Sequence, residues 1–559
     1  MTTLRFALTA ALAGATVAFT TPAVSAQCPV AKITEAASND LDEFGWRSAL
    51  DGDLLAVSEL GFGFSGEVHL FDVSGLLPYG RWAELDVVTG DDPAFGKQLG
   101  ESLAVSGDTL VAGAPQDDDF GVLSGAAYVF ERDDQGTPGD PSDDAWVQTA
   151  KLYPNAASVP SRVGDDVDLE GDTLVVGSNG SAWIYHRDDQ GTPSPLDDTW
   201  VEVQRLDPDG LSTFSTFGNA VAVTSDQQLV VVGDFWDTTG PAQGAATVFA
   251  RDDVGVPGDG TDDVWVELGK LQAPAPSGGY FDDTGRTVAV SDDLVVLGSP
   301  GSGFVSEGVV HTFDRDDQGT ATGLDDTFTY GQELSSTSGS FGGFGTDMAA
   351  DGDRLVVGHL NYQFPISKGL ELVVFERAGG LWSATTSLSA PDPQWLDGVG
   401  GGVGLDGDLL ISGASGAEYV DDWSPADGAA YAWDLGRDPT WTSDPFNISG
   451  PSPIVAGWGT LEPLSEFGVR SYDLFFQVDT WFVVGLSRID LPFKGGVLVP
   501  SPDIILGPVP TDSFGSVTLT GIWPNGVPIG TEVVIQSWVT GHLAVNPFTD
   551  SQGLVAVTP

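Results

Sequence analysis

A seven-fold internal repeat constrains this chain more than any other feature. Each unit opens with an apolar or small residue plus Gly, runs through a short apolar strand to a tight turn, and returns along a second apolar strand that ends in a small residue. The clearest copy reads Phe95-Gly96, then Leu103-Ala104-Val105-Ser106-Gly107-Asp108, then Leu110-Val111-Ala112-Gly113-Ala114-Pro115. The openings are Phe44-Gly45, Phe95-Gly96, Val163-Gly164, Phe217-Gly218, Thr284-Gly285, Phe344-Gly345 and Val399-Gly400. Such a unit cannot bury its apolar faces alone. A period somewhat above fifty residues with several short strands per unit predicts propeller blades.

The strands can be followed through the second unit. Leu103–Val105 and Leu110–Ala112 flank the Ser106-Gly107-Asp108 turn, where Gly tolerates the backbone that tight hairpins require. Gly125–Phe130 reads as strand three and Trp146–Leu152 as strand four. Strand three recurs at 66–71, 182–185, 244–249, 308–313, 370–375 and 428–433, and strand four at 200–206, 265–271 and 328–334. No sustained helical period follows residue 26, so the chain is expected to be all-β.

Phe-Gly followed by Gly-Ala-Pro, with Gly125-Ala126-Ala127-Tyr128-Val129-Phe130 downstream, resembles the FG-GAP repeat of integrin alpha-subunit propellers and many bacterial extracellular proteins. The resemblance covers about residues 30–445 and implies a seven-bladed β-propeller. It also implies that an N-terminal segment supplies the outer strand of the last blade. Lys32-Ile33-Thr34-Glu35-Ala36 is placed to pair beside Gly428–Trp433, with Thr440-Trp441-Thr442 as the alternative. Many family members carry a calcium loop between strands one and two. Here that connection is only a turn, as in Asp51-Gly52-Asp53 and Asp351-Gly352-Asp353. Calcium needs six to eight oxygens from a loop long enough to wrap it, so that site does not carry over.

The acidic content lies elsewhere. The formal net charge is −60, from 81 Asp+Glu against 21 Lys+Arg, which disfavours nucleic acid and anionic membrane and suits solubility in salt. Four units repeat an acidic loop between strands three and four. Its pairs are Asp133, Asp134 with Asp143, Asp144; Asp188, Asp189 with Asp197, Asp198; Asp252, Asp253 with Asp262, Asp263; and Asp316, Asp317 with Asp325, Asp326. Two readings stand: a divalent cation such as calcium held by four carboxylates, or a solvated turn in which each preceding Arg pairs locally. Meander geometry puts these loops and the short turns on one face. The opposite face carries Phe120, Trp236, Phe304, Tyr362, Phe364, Tyr419 and Trp423, candidates for contact with a protein or glycan.

No catalytic motif stands out. His69 and His311 recur at matching places in strand three, and there is no nucleophile elbow, zinc helix or phosphate loop. Residues 1–26 read as a secretory signal ending in Val24-Ser25-Ala26, and Cys28 is the single cysteine, so no internal disulfide forms. No later stretch is long and apolar enough to span a bilayer. The propeller is expected over 27–443, a linker over 444–453, and a small β-sandwich over 454–559. The expectation is a monomeric binding or adhesion protein, exported to the periplasm, cell surface or medium. The alternatives are an extracellular hydrolase or lyase with a site at the central channel, and a calcium-stabilised scaffold.

Overall fold

The computed structural model describes residues 25–27 and 31–33, most of 43–415, and chiefly the strands from 428 onward. Residues 1–24 and several connections, among them 302–307, 360–370, 390–398 and 416–427, lie outside the described residues.

The fold is all-β, with four short 3-10 turns as its only described helical elements. Each repeat forms a four-stranded antiparallel meander. The second is Ser102–Ser106, Thr109–Ala114, Ala126–Asp133 and Ala145–Leu152. Equivalent sheets start at Phe44, Val167, Val221 and Thr287, and the four strands from Phe344–Asp351 to Leu381–Ser389 form a sixth set within a larger sheet. The last sheet takes Val399–Asp406, Leu409–Ala414 and Ala429–Asp434, and borrows its outer strand from the N-terminus. Ala31–Ile33 pairs antiparallel with it, Lys32 opposite Tyr431. The borrowed strand covers an edge that would otherwise be open to pairing. Trp441–Ser443, the alternative, pairs instead with Leu554–Val557 and with Gln27.

First strands touch in chain order, and Val399–Asp406 of the last sheet touches Phe44–Asp51 of the first. Apolar clusters fill the space between neighbours. Tyr128, Phe130 and Leu110 meet Val68 and Leu70 of the preceding sheet, whereas Trp183 and Val176 meet Val111 and Val129. Ile411 and Ala430 of the last sheet pack with Phe44 and Leu55 of the first. Both faces of each sheet are therefore buried. That is why strand two reads as a continuous apolar run, Leu110 to Ala114, and not as an alternation. Each buried Val, Leu or Phe adds roughly 1.5–3 kcal/mol, which no single sheet could gain alone.

The repeated glycines set the spacing. Within a sheet the opening Gly donates to the Gly that ends strand two: Gly164 to Gly177 (2.9 Å), Gly218 to Gly233 (3.0 Å) and Gly285 to Gly298 (3.0 Å). Between sheets, that second Gly faces the carbonyl of the next opening Gly. A Cβ on Gly113 would meet the carbonyl carbon of Gly164 at 3.0 Å, and one on Gly413 that of Gly45 at 2.9 Å, with each oxygen nearer still. No side chain fits there. On the opposite face, turn carboxylates bridge neighbouring sheets. Asp51 accepts from the Gly107 amide (2.6 Å), Asp351 from Gly407 (2.8 Å) and Asp406 from Gly52 (2.8 Å).

Beyond residue 443 the strands Ile454–Trp458, Glu466–Tyr472 and Ser516–Ile522 form one sheet. Leu554–Val557, Glu532–Leu543, Asp479–Gly485 and Ile504–Pro510 form part of another. Ser471 and Ser537 join the two across a buried 2.8 Å hydrogen bond. The second sheet is continuous, through Trp441–Ser443 and Ser25–Gln27, with the outer strand of the sixth set, Leu381–Ser389.

Candidate functional site

The most elaborate polar cluster lies on the face formed by the loops between strands two and three and between successive sheets. Asp117 follows the end of strand two in the second sheet and is buried. Its main-chain carbonyl accepts from Ser124 Oγ (3.0 Å) and from the Gly125 amide (2.9 Å), and its carboxylate accepts from the Asp119 amide (3.0 Å). Into this loop reach two lysines. Lys97 Nζ stands 2.7 Å from Asp92, 3.0 Å from Asp117 and 3.0 Å from Asp119. Lys151 Nζ, from the end of strand four, stands 2.8 Å from Asp92 and 2.9 Å from Asp117, and also contacts Asp119. Tyr128 Oη donates toward Asp92 and Asp117, 2.8 Å each.

Burial alone would raise the carboxyls of Asp92 and Asp117. Hydrogen bonds from Lys151, Lys97 and Tyr128 outweigh it and hold both below the usual carboxylate range. The ammonium groups of Lys97 and Lys151 are raised in turn, against burial, by Asp92, Asp117 and Asp119. The three aspartates are close enough together to hold a metal ion. Two ammonium groups already supply that positive charge, so the cluster acts as a brace.

What it braces is Phe120. The ring is half exposed, stacked on Tyr153 at 4.4 Å and 4°, with Lys151 Nζ 5.9 Å from its centre. Val122, 75% exposed, projects from the same loop. The fourth sheet repeats the plan. Buried Asp237 pairs with Lys270 at 2.7 Å, and its half-exposed neighbour Trp236 packs edge-on to Phe235, with Arg286 above Phe235. The sequence signal was available. Asp117 and Asp237 each lie four residues beyond the Gly that ends strand two, and each unit closes strand four with Lys-Leu, at Lys151-Leu152 and Lys270-Leu271. Of the other predicted contact residues, Phe304, Tyr362, Phe364, Tyr419 and Trp423 lie outside the described residues.

The acidic loops are built from local partners. Asp133 and Asp134 accept from the amides of Gln135 (3.1 Å) and Gly136 (2.9 Å), and Asp143 accepts from Thr137 Oγ1 (2.8 Å). Asp144 is buried against Arg132 Nε at 2.5 Å. The third sheet repeats this with Asp188 and Asp189 on Gln190 and Gly191, Asp197 on Thr192, and Asp198 3.8 Å from Arg187. In the fifth, Asp316, Asp317 and Asp325 take Gln318, Gly319 and Thr320, and Asp326 takes Arg315 at 2.6 Å. In the fourth, which also holds Asp252 and Asp253, Asp262 accepts from the Val256 amide (3.0 Å) and Asp263 from Arg251. Arg132 also reaches Asp108 of the strand one–two turn (3.1 Å), which places the two kinds of loop on one face. The turns themselves spend carboxylates on neighbouring glycine amides, an arrangement that does not fit a wrapped calcium ion.

A second polar group surrounds the axis, on the innermost strands. Arg47 Nε donates to the Glu101 carbonyl (3.2 Å). Asp166 accepts from the Val221 amide (2.8 Å), and Asp347 from Gly402 (2.5 Å) and Val403 (3.1 Å). These carboxylates cap amides that face the axis. Burial pushes Asp166 up to about 7, with Asp168 and Asp347 adding to the effect and Arg47 opposing it.

Residues 82–130 match the FG-GAP repeat family. No curated protein matches the chain. Among solved structures, the β-propeller domain of Myceliophteria thermophila Cps50 (Swd1) is 11% identical, with a TM-score of 0.43 over 72% of this chain and 99% of that one. The β-propeller domain of the Trilobed protease from Pyrococcus furiosus is 8% identical, with a TM-score of 0.36 over 70% and 95%. Trypanosoma rangeli sialidase is 11% identical, with a TM-score of 0.36 over 95% and 94%. At these scores the likenesses add nothing to what the sheets themselves display. With its repeated opening glycines, the match over 82–130 and first strands that follow one another around an axis, the chain is a β-propeller that carries an FG-GAP repeat at residues 82–130.

Proposed function

We propose that this is a secreted seven-bladed propeller with a C-terminal β-sandwich, and that it binds an extracellular protein or glycan through the face bearing Phe120 and Trp236. The observation that carries this reading is the mounting of Phe120. A half-exposed ring lies flat on Tyr153 over two lysines and three aspartates. An apolar surface held rigid before contact loses little conformational entropy on binding. Trp236 presents a second aromatic at the equivalent loop two blades on.

The test is a glycan and protein array probed with the exported chain, repeated with Phe120→Ala and Trp236→Ala. Loss of the captured partner at an unchanged Tm supports the proposal. Retention of full binding by the double variant defeats it. A second reading, a hydrolase or lyase centred on the axis, draws on Arg47, Asp166 and Asp347, which most other blades lack at the same position. An Asp near neutrality suits general acid work. That reading requires turnover of some glycan or polysaccharide that Asp166→Asn abolishes.

A further inference from the structure

The first blade holds a buried histidine among three glutamates. His69, on strand three, is 3% exposed. Its Nδ1 is 2.7 Å from Glu84 Oε1 on strand four, and its Nε2 is 3.1 Å from Glu59 Oε2 and 3.5 Å from Glu67 Oε1. Phe44 stands edge-on to the imidazole at 5.2 Å and Phe71 stacks beside it, so one side of the group is apolar. Glu59 and Glu67 are directly opposed in the strand register. Like charges in opposed positions are destabilising unless a cation lies between them.

Three other buried carboxylates in this chain meet the charge problem with Arg or Lys, while Glu131 and Asp234 rely on hydroxyl and amide donors. Asp326 has Arg315, Asp263 has Arg251, and Asp237 has Lys270. Among the described residues, the ionic partner of Glu59, Glu67 and Glu84 is His69 alone. Three carboxylates around one imidazole leave the group short of positive charge even when the ring is protonated.

The geometry suits an ion in place of the Nε2 proton. Metal–ligand bonds of about 2.1 Å in a tetrahedron set the ligand atoms about 3.4 Å apart. The two separations from Nε2, 3.1 and 3.5 Å, bracket that figure, and the three ligand atoms all lie within 4.8 Å of one another. Glu84 on Nδ1 is the outer carboxylate that fixes which ring nitrogen faces a metal and turns the ring toward it. A nitrogen ligand beside two carboxylates fits a zinc-class ion better than calcium or magnesium, which favour oxygen throughout. Glu67 is partly exposed, which leaves an approach for the ion and a place for water as fourth ligand.

We propose that Glu59, Glu67 and His69 bind one divalent transition-metal ion of the zinc class, oriented by Glu84, on the same face of the propeller as Phe120.

The test is titration of the metal-free full chain with zinc chloride by calorimetry, with cobalt(II) absorption as a second measurement. Because the whole surface is acidic, the comparison with variants decides. The expected result is one site of micromolar or tighter affinity, weakened at least tenfold in His69→Gln and Glu59→Gln, and tenfold to a hundredfold in Glu84→Gln. Cobalt should give the visible bands of a four-coordinate site. Glu67→Gln changes a partly exposed residue and should keep the fold while losing affinity, which guards against a misfolded His69 variant. Zinc binding that is identical in wild type and Glu67→Gln, or no tight site in the wild type, overturns the proposal. So does cobalt with only the spectrum of the hydrated ion.

Discussion

Replacing Gly233 by Ala isolates the contact that sets the spacing between blades. Gly233 has an ordinary backbone conformation, so an added methyl carries no dihedral penalty. Its position is fixed. The Gly233 amide donates to Ala220 (2.8 Å) and its carbonyl accepts from Gly218 (3.0 Å). The new Cβ would lie 3.2 Å from the carbonyl carbon of Gly285 in the next blade, nearer still to that oxygen, and 3.4 Å from Ala220 Cβ. Non-bonded carbons rest at about 3.5–4.0 Å, so the blades must part by roughly half an ångström or more. Overpacking of this kind costs about 3 kcal/mol. Gly107→Ala is the control. Its φ is 57° and nothing lies within 4 Å of an added methyl, so it meets only the left-handed penalty of about 1–2 kcal/mol. A stiffer unfolded chain returns roughly 0.4–1 kcal/mol of that. Guanidinium unfolding followed by tryptophan fluorescence should therefore rank the midpoints wild type, Gly107→Ala, Gly233→Ala, from highest to lowest. A Gly233→Ala midpoint at or above that of Gly107→Ala would refute the reasoning.

Other expectations follow from the same geometry. His359 is fully buried with neither ring nitrogen hydrogen-bonded, and burial pushes its pKa down to about 4. The unfolded chain takes up this proton near pH 6.5 and the folded chain only near 4, so stability falls as pH drops through that window. At about 1.4 kcal/mol per unit the loss is on the order of 3 kcal/mol. Subtracting the pH–stability curve of His359→Leu from that of wild type should expose this slope, and a flat difference would contradict the assignment. Arg315→Ala should cost about 3–5 kcal/mol in chemical denaturation, because it strands the buried carboxylate of Asp326. Asp317→Asn, which keeps an acceptor for the Gly319 amide, should cost under about 1 kcal/mol. Equal losses would mean that the ion pair is not what holds the loop. Deleting residues 1–33 removes the strand that covers the last blade. Light scattering should then report association through the bared edge, and a monomeric product of unchanged Tm would show that the strand is dispensable.

Much of the blade plan was legible in the order of residues. Strand three was expected at 308–313 and is Val309–Asp316, and strand four at 265–271 is Val264–Leu271. Boundaries erred by running short where polar residues such as Arg315 and Asp316 continue the pairing, since pairing is made by backbone and hydropathy does not report it. Of Lys32–Ala36, one of two segments expected beside Gly428–Trp433, Lys32 and Ile33 do pair there, opposite Tyr431 and Ala430. Strands Glu466–Tyr472 and Ile504–Pro510 were not anticipated, because Gly, Pro and charged residues interrupt their apolar pattern.

Local order thus determined the repeat, the turns and the identity of the strands, because each depends on residues a few positions apart. Only the tertiary structure decided which charges meet. Lys97 and Asp117 come from two different connections and Lys151 from the end of a strand, and Glu59, Glu67, His69 and Glu84 come from three strands. Their encounter depends on how far one strand is displaced along its neighbour. A shift of a single residue would turn each side chain to the opposite face of its sheet.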